Sequence, residues 1–112
     1  MNAYLRSDLI GVNIQQEIKT GRLIRVGFGI YYKAKTSFLT GKFVPVDTFD
    51  VMLRNCLIRL GVKTGPTKAD LDYVNGISTQ VPTGRAIGVY GRLPRKIGYD
   101  GVFASYELIP DR

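Results

Sequence analysis

Three observations on the 112-residue chain predict a segregated α+β fold. Two runs rich in β-branched and aromatic residues, 22–26 and 30–34, flank Gly27-Phe28-Gly29 and read as a β-hairpin with a bulged loop. Phe49, Leu53, Cys56, Leu57 and Leu60 recur at helical spacing, which marks one apolar helix face. The other strand signals come later in a block, with no βαβ alternation to suggest a parallel sheet. No internal repeat is visible. A chain of this length is one domain, or two small ones sharing a core.

An apolar fraction of 45 % is that of a globular chain, well above the disordered regime. No run of about eighteen apolar residues exists, so a membrane span is not expected. The first residues, Met-Asn-Ala-Tyr-Leu-Arg-Ser-Asp, hold no apolar core of a secretory signal. Cys56 is the single cysteine, which points to a reducing cytoplasm. The net charge of +7 is unevenly placed. Residues 1–42 carry seven Lys/Arg against two acids, residues 43–80 four of each, and residues 81–112 five against three. The excess therefore gathers around the hairpin. Localised positive charge is what phosphate binding requires, since neutralised phosphates release condensed counterions; solubility alone is the plain alternative.

Taken in order, Ser7 is the expected N-cap of a first helix, with Asp8 well placed against the helix dipole. Ile10, Ile14 and Ile18 recur every four residues as an apolar stripe. Gly11 interrupts that stripe, so the alternative is a turn near Gly11 and a short helix from Asn13. On that version Asn13, Gln15, Gln16 and Lys19 project away from the stripe, and their side chains can bond base edges and phosphates. Thr20-Gly21 closes the helix, because glycine takes the left-handed position after a helix end. Residues 36–42 read as a loop, and Asp47 or Thr48 caps the long helix that Gly61 stops. Cys56 lies on its apolar face as a small core residue. Gly65-Pro66 breaks the chain before a short helix that ends at Asn75-Gly76. Residues 77–82 are expected to be extended, Thr83-Gly84 to turn, and residues 85–90 to form a strand. Asp100-Gly101, a favoured hairpin pair, joins strands at 96–99 and 102–109.

Enzyme chemistry finds little support, and none is expected. The chain has no histidine, hence no imidazole base or imidazole metal ligand, and one cysteine cannot build a thiolate zinc site. The carboxylate pairs Asp47/Asp50 and Asp70/Asp72 sit at helix N-termini, where negative charge is simply favourable. Gly27-x-Gly29 is followed by a strand, so no helix N-terminus is there to hold a pyrophosphate. Ser78 and Thr79 have no base to activate them. Tyr31, Tyr32, Tyr73, Tyr90, Tyr99 and Tyr106 fall mostly in strands or on apolar faces. Core packing is their plain role and stacking on single-stranded bases the sharper one. No cofactor or metal is called for.

A basic helix feeding a basic hairpin has the shape of the second half of a winged helix-turn-helix. The stretch Gly21-Arg22-Leu23-Ile24-Arg25-Val26-Gly27-Phe28-Gly29-Ile30-Tyr31-Tyr32 resembles the helix-to-wing segment, G-x-[IL]-x-R-x-x-x-G-[VI]-Y, of AbiEi-like antitoxins of type IV toxin–antitoxin systems. It is also similar to related winged-helix regulators of plasmids and prophages. Asn75-Gly76-Ile77-Ser78-Thr79-Gln80-Val81-Pro82 is similar to the family's second-domain signature, close to L-G-L-S-T-Q-V-P. Three departures stand out: few residues precede Ser7, which leaves no full first helix; Phe28 replaces a basic loop residue; and Asn75 replaces leucine. The resemblance implies a partial winged helix over residues 1–42 that binds operator DNA and represses its own operon. For residues 43–112 it implies an α+β region, helical and antiparallel-sheeted, with antitoxic activity.

The expected function is thus a cytoplasmic DNA-binding transcriptional regulator or antitoxin. Asn13, Gln15, Gln16 and Lys19 would face the major groove, with Arg22, Arg25, Lys33 and Lys35 on phosphates or in the minor groove. Its partner would be double-stranded DNA, alongside a protein partner or a second copy in a homodimer, and no membrane. The alternative is a protein-interaction module, an inhibitor or accessory protein whose basic face meets an acidic protein. RNA binding through the tyrosines is a third reading.

Overall fold

The computed structural model describes residues 2–68, 71, 73, 75–76, 86–92 and 94–109. The fold is mixed α+β, with short helices and several small sheets. The chain enters as β1 (Ala3–Leu5), makes a 3-10 turn over Arg6–Leu9, and continues into α1 (Ile14–Lys19). The hairpin follows as β2 (Leu23–Gly27) and β3 (Ile30–Thr36), and β4 (Phe43–Pro45) completes an antiparallel sheet. In that sheet β3 is central, with β2 on one side and β1 and β4 on the other.

α2 (Phe49–Arg59) confirms the long helix read from the sequence. Its face of Met52, Leu53, Cys56 and Leu57 is fully buried. Both helices end alike, for a physical reason. Gly21 and Gly61 take positive φ, 78° and 72°, which a Cβ would penalise. The Arg22 N–H then donates to the Glu17 carbonyl at 2.9 Å, and the Val62 N–H to the Leu57 carbonyl at 2.9 Å. These bonds satisfy carbonyls that the helix leaves open.

The first turn departs from expectation. Ser7 caps nothing; the Asp8 carboxylate instead accepts the Leu5 N–H at 2.8 Å, and Arg59 of α2 binds the same carboxylate. Ile10 is 87 % exposed, so the isoleucine stripe is not a buried face. Of the two versions, the turn near Gly11 and the short helix from Asn13 is the one the chain adopts: the Asn13 carbonyl oxygen of the side chain accepts the Gln16 N–H at 3.2 Å.

Downstream, β5 (Thr64–Gly65), β6 (Ala86–Tyr90) and β9 (Ser105–Ile109) form a second sheet in the order β5-β6-β9. Between β6 and β9 lies a hairpin of β7 (Gly98–Tyr99) and β8 (Val102–Phe103), turned at Asp100-Gly101 as expected. Its second arm breaks at Ala104 rather than running through to residue 109. That break corrects the expected all-antiparallel region, because β6 and β9 pair in parallel. A parallel pair needs a long crossover, and residues 91–104 supply it with a hairpin in place of a helix. Leu71 and Asn75 donate their N–H groups to the carbonyls of Thr67 and Leu71, in keeping with the short helix after Gly65-Pro66. The readings on residues 77–85, on Asp70 and Asp72, and the roles of Ser78 and Thr79 fall outside the described residues.

One core joins these parts. α2 lies against Ala3, Val26, Ile30 and Tyr32 of the first sheet, and Ile87, Val89 and Ile97 close the cluster from the second half of the chain. Within it Tyr32 keeps its hydroxyl satisfied, donating to Asp47 and accepting from the Asn55 amide at 2.9 Å. Asn2 donates to the same Asp47 oxygen at 3.0 Å. Residues of a strand alternate between its two faces, so this inward set fixes what the outer face of the first sheet presents.

Candidate nucleic-acid interface

Ala3, Leu5, Ile24, Ile30 and Tyr32 belong to the core face. By alternation Tyr4, Arg25, Tyr31, Lys33 and Lys35 take the other one. Cross-strand register then sets Tyr4 opposite Tyr31, and Tyr31 opposite Arg25, so one row crosses β1, β3 and β2. Side chains directly opposite on one face lie within contact reach. Beside that row, the start of α1 and the hairpin enclose a cleft of about 440 Å³, lined among others by Arg6, Asn13, Gln15, Arg25, Phe28 and Tyr31. No carboxylate lines it. Neither Arg6 nor Arg25 has an ion pair among the described residues. Arg25 instead donates to the Gly27 carbonyl at 3.3 Å and stands 6.0 Å from the centre of the Phe28 ring.

Of the residues the sequence nominates, Asn13, Gln15 and Arg25 meet in this cleft, and Lys33 and Lys35 lie on the adjoining strand. Gln16 and Lys19 are exposed on α1 but do not line the cleft. Arg22 is differently engaged. It grips Glu17 through two nitrogens, at 2.7 and 3.2 Å, and that hydrogen-bonded carboxylate raises the guanidinium's pKa above its ordinary value. Its charge is answered within the chain. Lys35 sits close enough to Asp47 to help lower that carboxyl's pKa, after the larger effects of the Tyr32 and Asn2 hydrogen bonds. Arg25, Lys33, Lys19 and Arg6 thus carry the least compensated charge of the front half.

Arg6 and Phe28 are the functional candidates that sequence reading does not nominate. Arg6 enters the cleft because β1 pairs with β3 and its N–H donates to the Gly29 carbonyl at 3.0 Å. A three-residue strand offers too little alternation to see that. Phe28 was visible only as an unusual residue for its loop.

Among the described residues no cluster of three or more His, Cys, Asp or Glu could hold a metal ion. Burial pushes the Cys56 thiol up to about 12, which leaves it an inert core group. No described helix is long and apolar enough to cross a membrane. Set beside models of known protein families, curated proteins and solved structures, the chain finds no match.

Proposed function

We propose that this protein is a non-enzymatic regulator or antitoxin that binds double-stranded DNA through the outer face of its first sheet and the start of α1. The observation that carries the reading is Arg6 and Arg25, neither in an ion pair among the described residues, along a cleft that also presents the amides of Asn13 and Gln15. Guanidinium groups supply phosphate attraction and side-chain amides can read base edges, so the two kinds of group together suit a duplex. The order of elements supports it: a short helix leads into a hairpin whose second arm is also paired to the strand before the helix. That order supports reading the front half as a truncated winged helix. Operator binding and antitoxic activity follow from the family resemblance of residues 21–32 and 75–82.

A second reading, a module that docks on an acidic protein, draws on the turn between β3 and β4. There Phe38 and Leu39 are 94 % and 81 % exposed, with Lys35 and Lys42 flanking them. An apolar tip with a lysine on either side suits an apolar pocket rimmed with carboxylates.

Fluorescence anisotropy with a duplex from the region upstream of the protein's own coding sequence separates the two. Affinity for the duplex should fall steeply with added salt, and Arg25→Ala should weaken binding to all sequences alike while lowering the log–log salt slope by about one. A salt response that stays flat would remove the DNA reading.

A further inference from the structure

Phe28 and Arg25 border two clefts rather than one. The second, of about 370 Å³, adds Lys96, Tyr99 and Phe103. Each volume lies within the range of small-ligand sites, roughly 300–1,000 Å³. The Lys96 ammonium stands 4.0 Å from the centre of the Phe103 ring, as Arg25 stands near Phe28. Ring and cation therefore alternate along one path: Tyr31, Arg25, Phe28, Lys96, Phe103. One carboxylate, Asp100, lies beside it, and it faces Lys42 at 3.6 Å.

The hairpin tip is held, not loose. Arg95 donates to the Phe28 carbonyl at 2.7 Å, and the Arg95 carbonyl in turn accepts the Tyr106 hydroxyl at 3.0 Å. A Cβ on Gly27 would stand 2.9 Å from the Lys96 carbonyl oxygen, so only glycine allows this close approach of the two segments. The second half of the chain thus braces the loop that carries Phe28, whose ring is 77 % exposed. An exposed ring on a held loop, beside a cation, has few partners in water. Bases within an intact duplex are stacked on one another and cannot lie flat on it, whereas unpaired bases can.

We propose that this path binds a single-stranded or locally unpaired nucleic-acid segment, its bases stacked on Phe28 and its phosphates drawn to Arg6, Arg25, Arg95 and Lys96. The proposal rests on the reading of this face as a nucleic-acid surface and names an additional form of ligand. Duplex contacts remain with α1 and the sheet; unpaired bases go to the tip of the hairpin.

The test is anisotropy on the full chain with three fluorescein-labelled probes of equal length. These are an oligothymidylate, an oligomer whose central nucleotides are abasic, and a duplex. Expected are tighter binding of the oligothymidylate than of the abasic oligomer and a loss of about tenfold in oligothymidylate affinity for Phe28→Ala. Phe38→Ala, which removes an exposed ring in the turn between β3 and β4, should leave oligothymidylate affinity unchanged, and circular dichroism should show both variants folded. Equal binding of the abasic oligomer, or an unchanged Phe28→Ala affinity, overturns the proposal. Duplex binding without oligothymidylate binding also overturns it but leaves the duplex reading standing. Binding of none of the probes removes both.

Discussion

Leu57→Ala is expected to lower the unfolding free energy by about 2–5 kcal/mol, the usual range for truncating a buried leucine. Leu57 has no exposed surface, and the cluster around it draws on α2, the first sheet and the second half of the chain. A cavity there cannot be filled by a loop moving in, because the neighbours belong to regular elements on both sides. Stability of a small domain is itself only about 5–15 kcal/mol, so the loss is a large share of the total. Urea unfolding checks it: the midpoint should fall while the slope holds. Ile58→Ala is the matched comparison, since the next residue is 59 % exposed. It should change stability by no more than about 0.5 kcal/mol. Similar losses in the two variants would mean that α2 does not face the core as described.

Tyr32→Phe has the second largest expected effect. The ring stays in place, but the hydroxyl that donates to Asp47 and accepts from Asn55 is lost. An unmade bond at a buried site costs about 1–3 kcal/mol. Its pH dependence is distinctive. Burial, aided by Asp47, pushes the Tyr32 hydroxyl up to about 12. The folded state therefore favours the neutral phenol, a contribution complete below the ordinary tyrosine value near 10 and lost as pH rises through about 12. Asp47 behaves oppositely. The Tyr32 hydrogen bond, then that of Asn2, holds its carboxyl below the usual carboxylate range. That contribution is present above the ordinary aspartate value and is lost as pH falls through the depressed one. Urea midpoints should thus drop at both ends of the pH range in the parent chain, and more gently in Tyr32→Phe. Parallel pH profiles would show that the three groups do not act together.

What could be read from the sequence divides along a physical line. α2 was legible because its periodic face, its acidic first turn and Gly61 all agree, and each is a local signal. The β2–β3 hairpin was legible for the same reason, as was the Asp100-Gly101 turn. The three-residue β1 and β4 were not, since their strand character comes from pairing with β3 and not from their own residues. The parallel pairing of β6 with β9 is likewise a long-range fact. At the site, Asn13, Gln15 and Arg25 line one cleft because helix and hairpin are consecutive in the chain. Arg22 is nominated from sequence for phosphates or the minor groove; in the fold the turn at Gly21 brings it back onto Glu17. Lys96 and Phe103 reach the hairpin tip only through the fold, and local sequence gives no sign of it.

The most direct test of the account is to titrate the nitrogen-15-labelled protein with an upstream duplex and follow its amide resonances. Shifts confined to Tyr4, Arg6, Asn13, Gln15, Arg25, Tyr31 and Lys33 are the expected result. Shifts centred instead on the exposed side of α2, at Val51, Arg54 and Ile58, would place the binding surface elsewhere, and a spectrum unmoved by DNA would contradict the account outright.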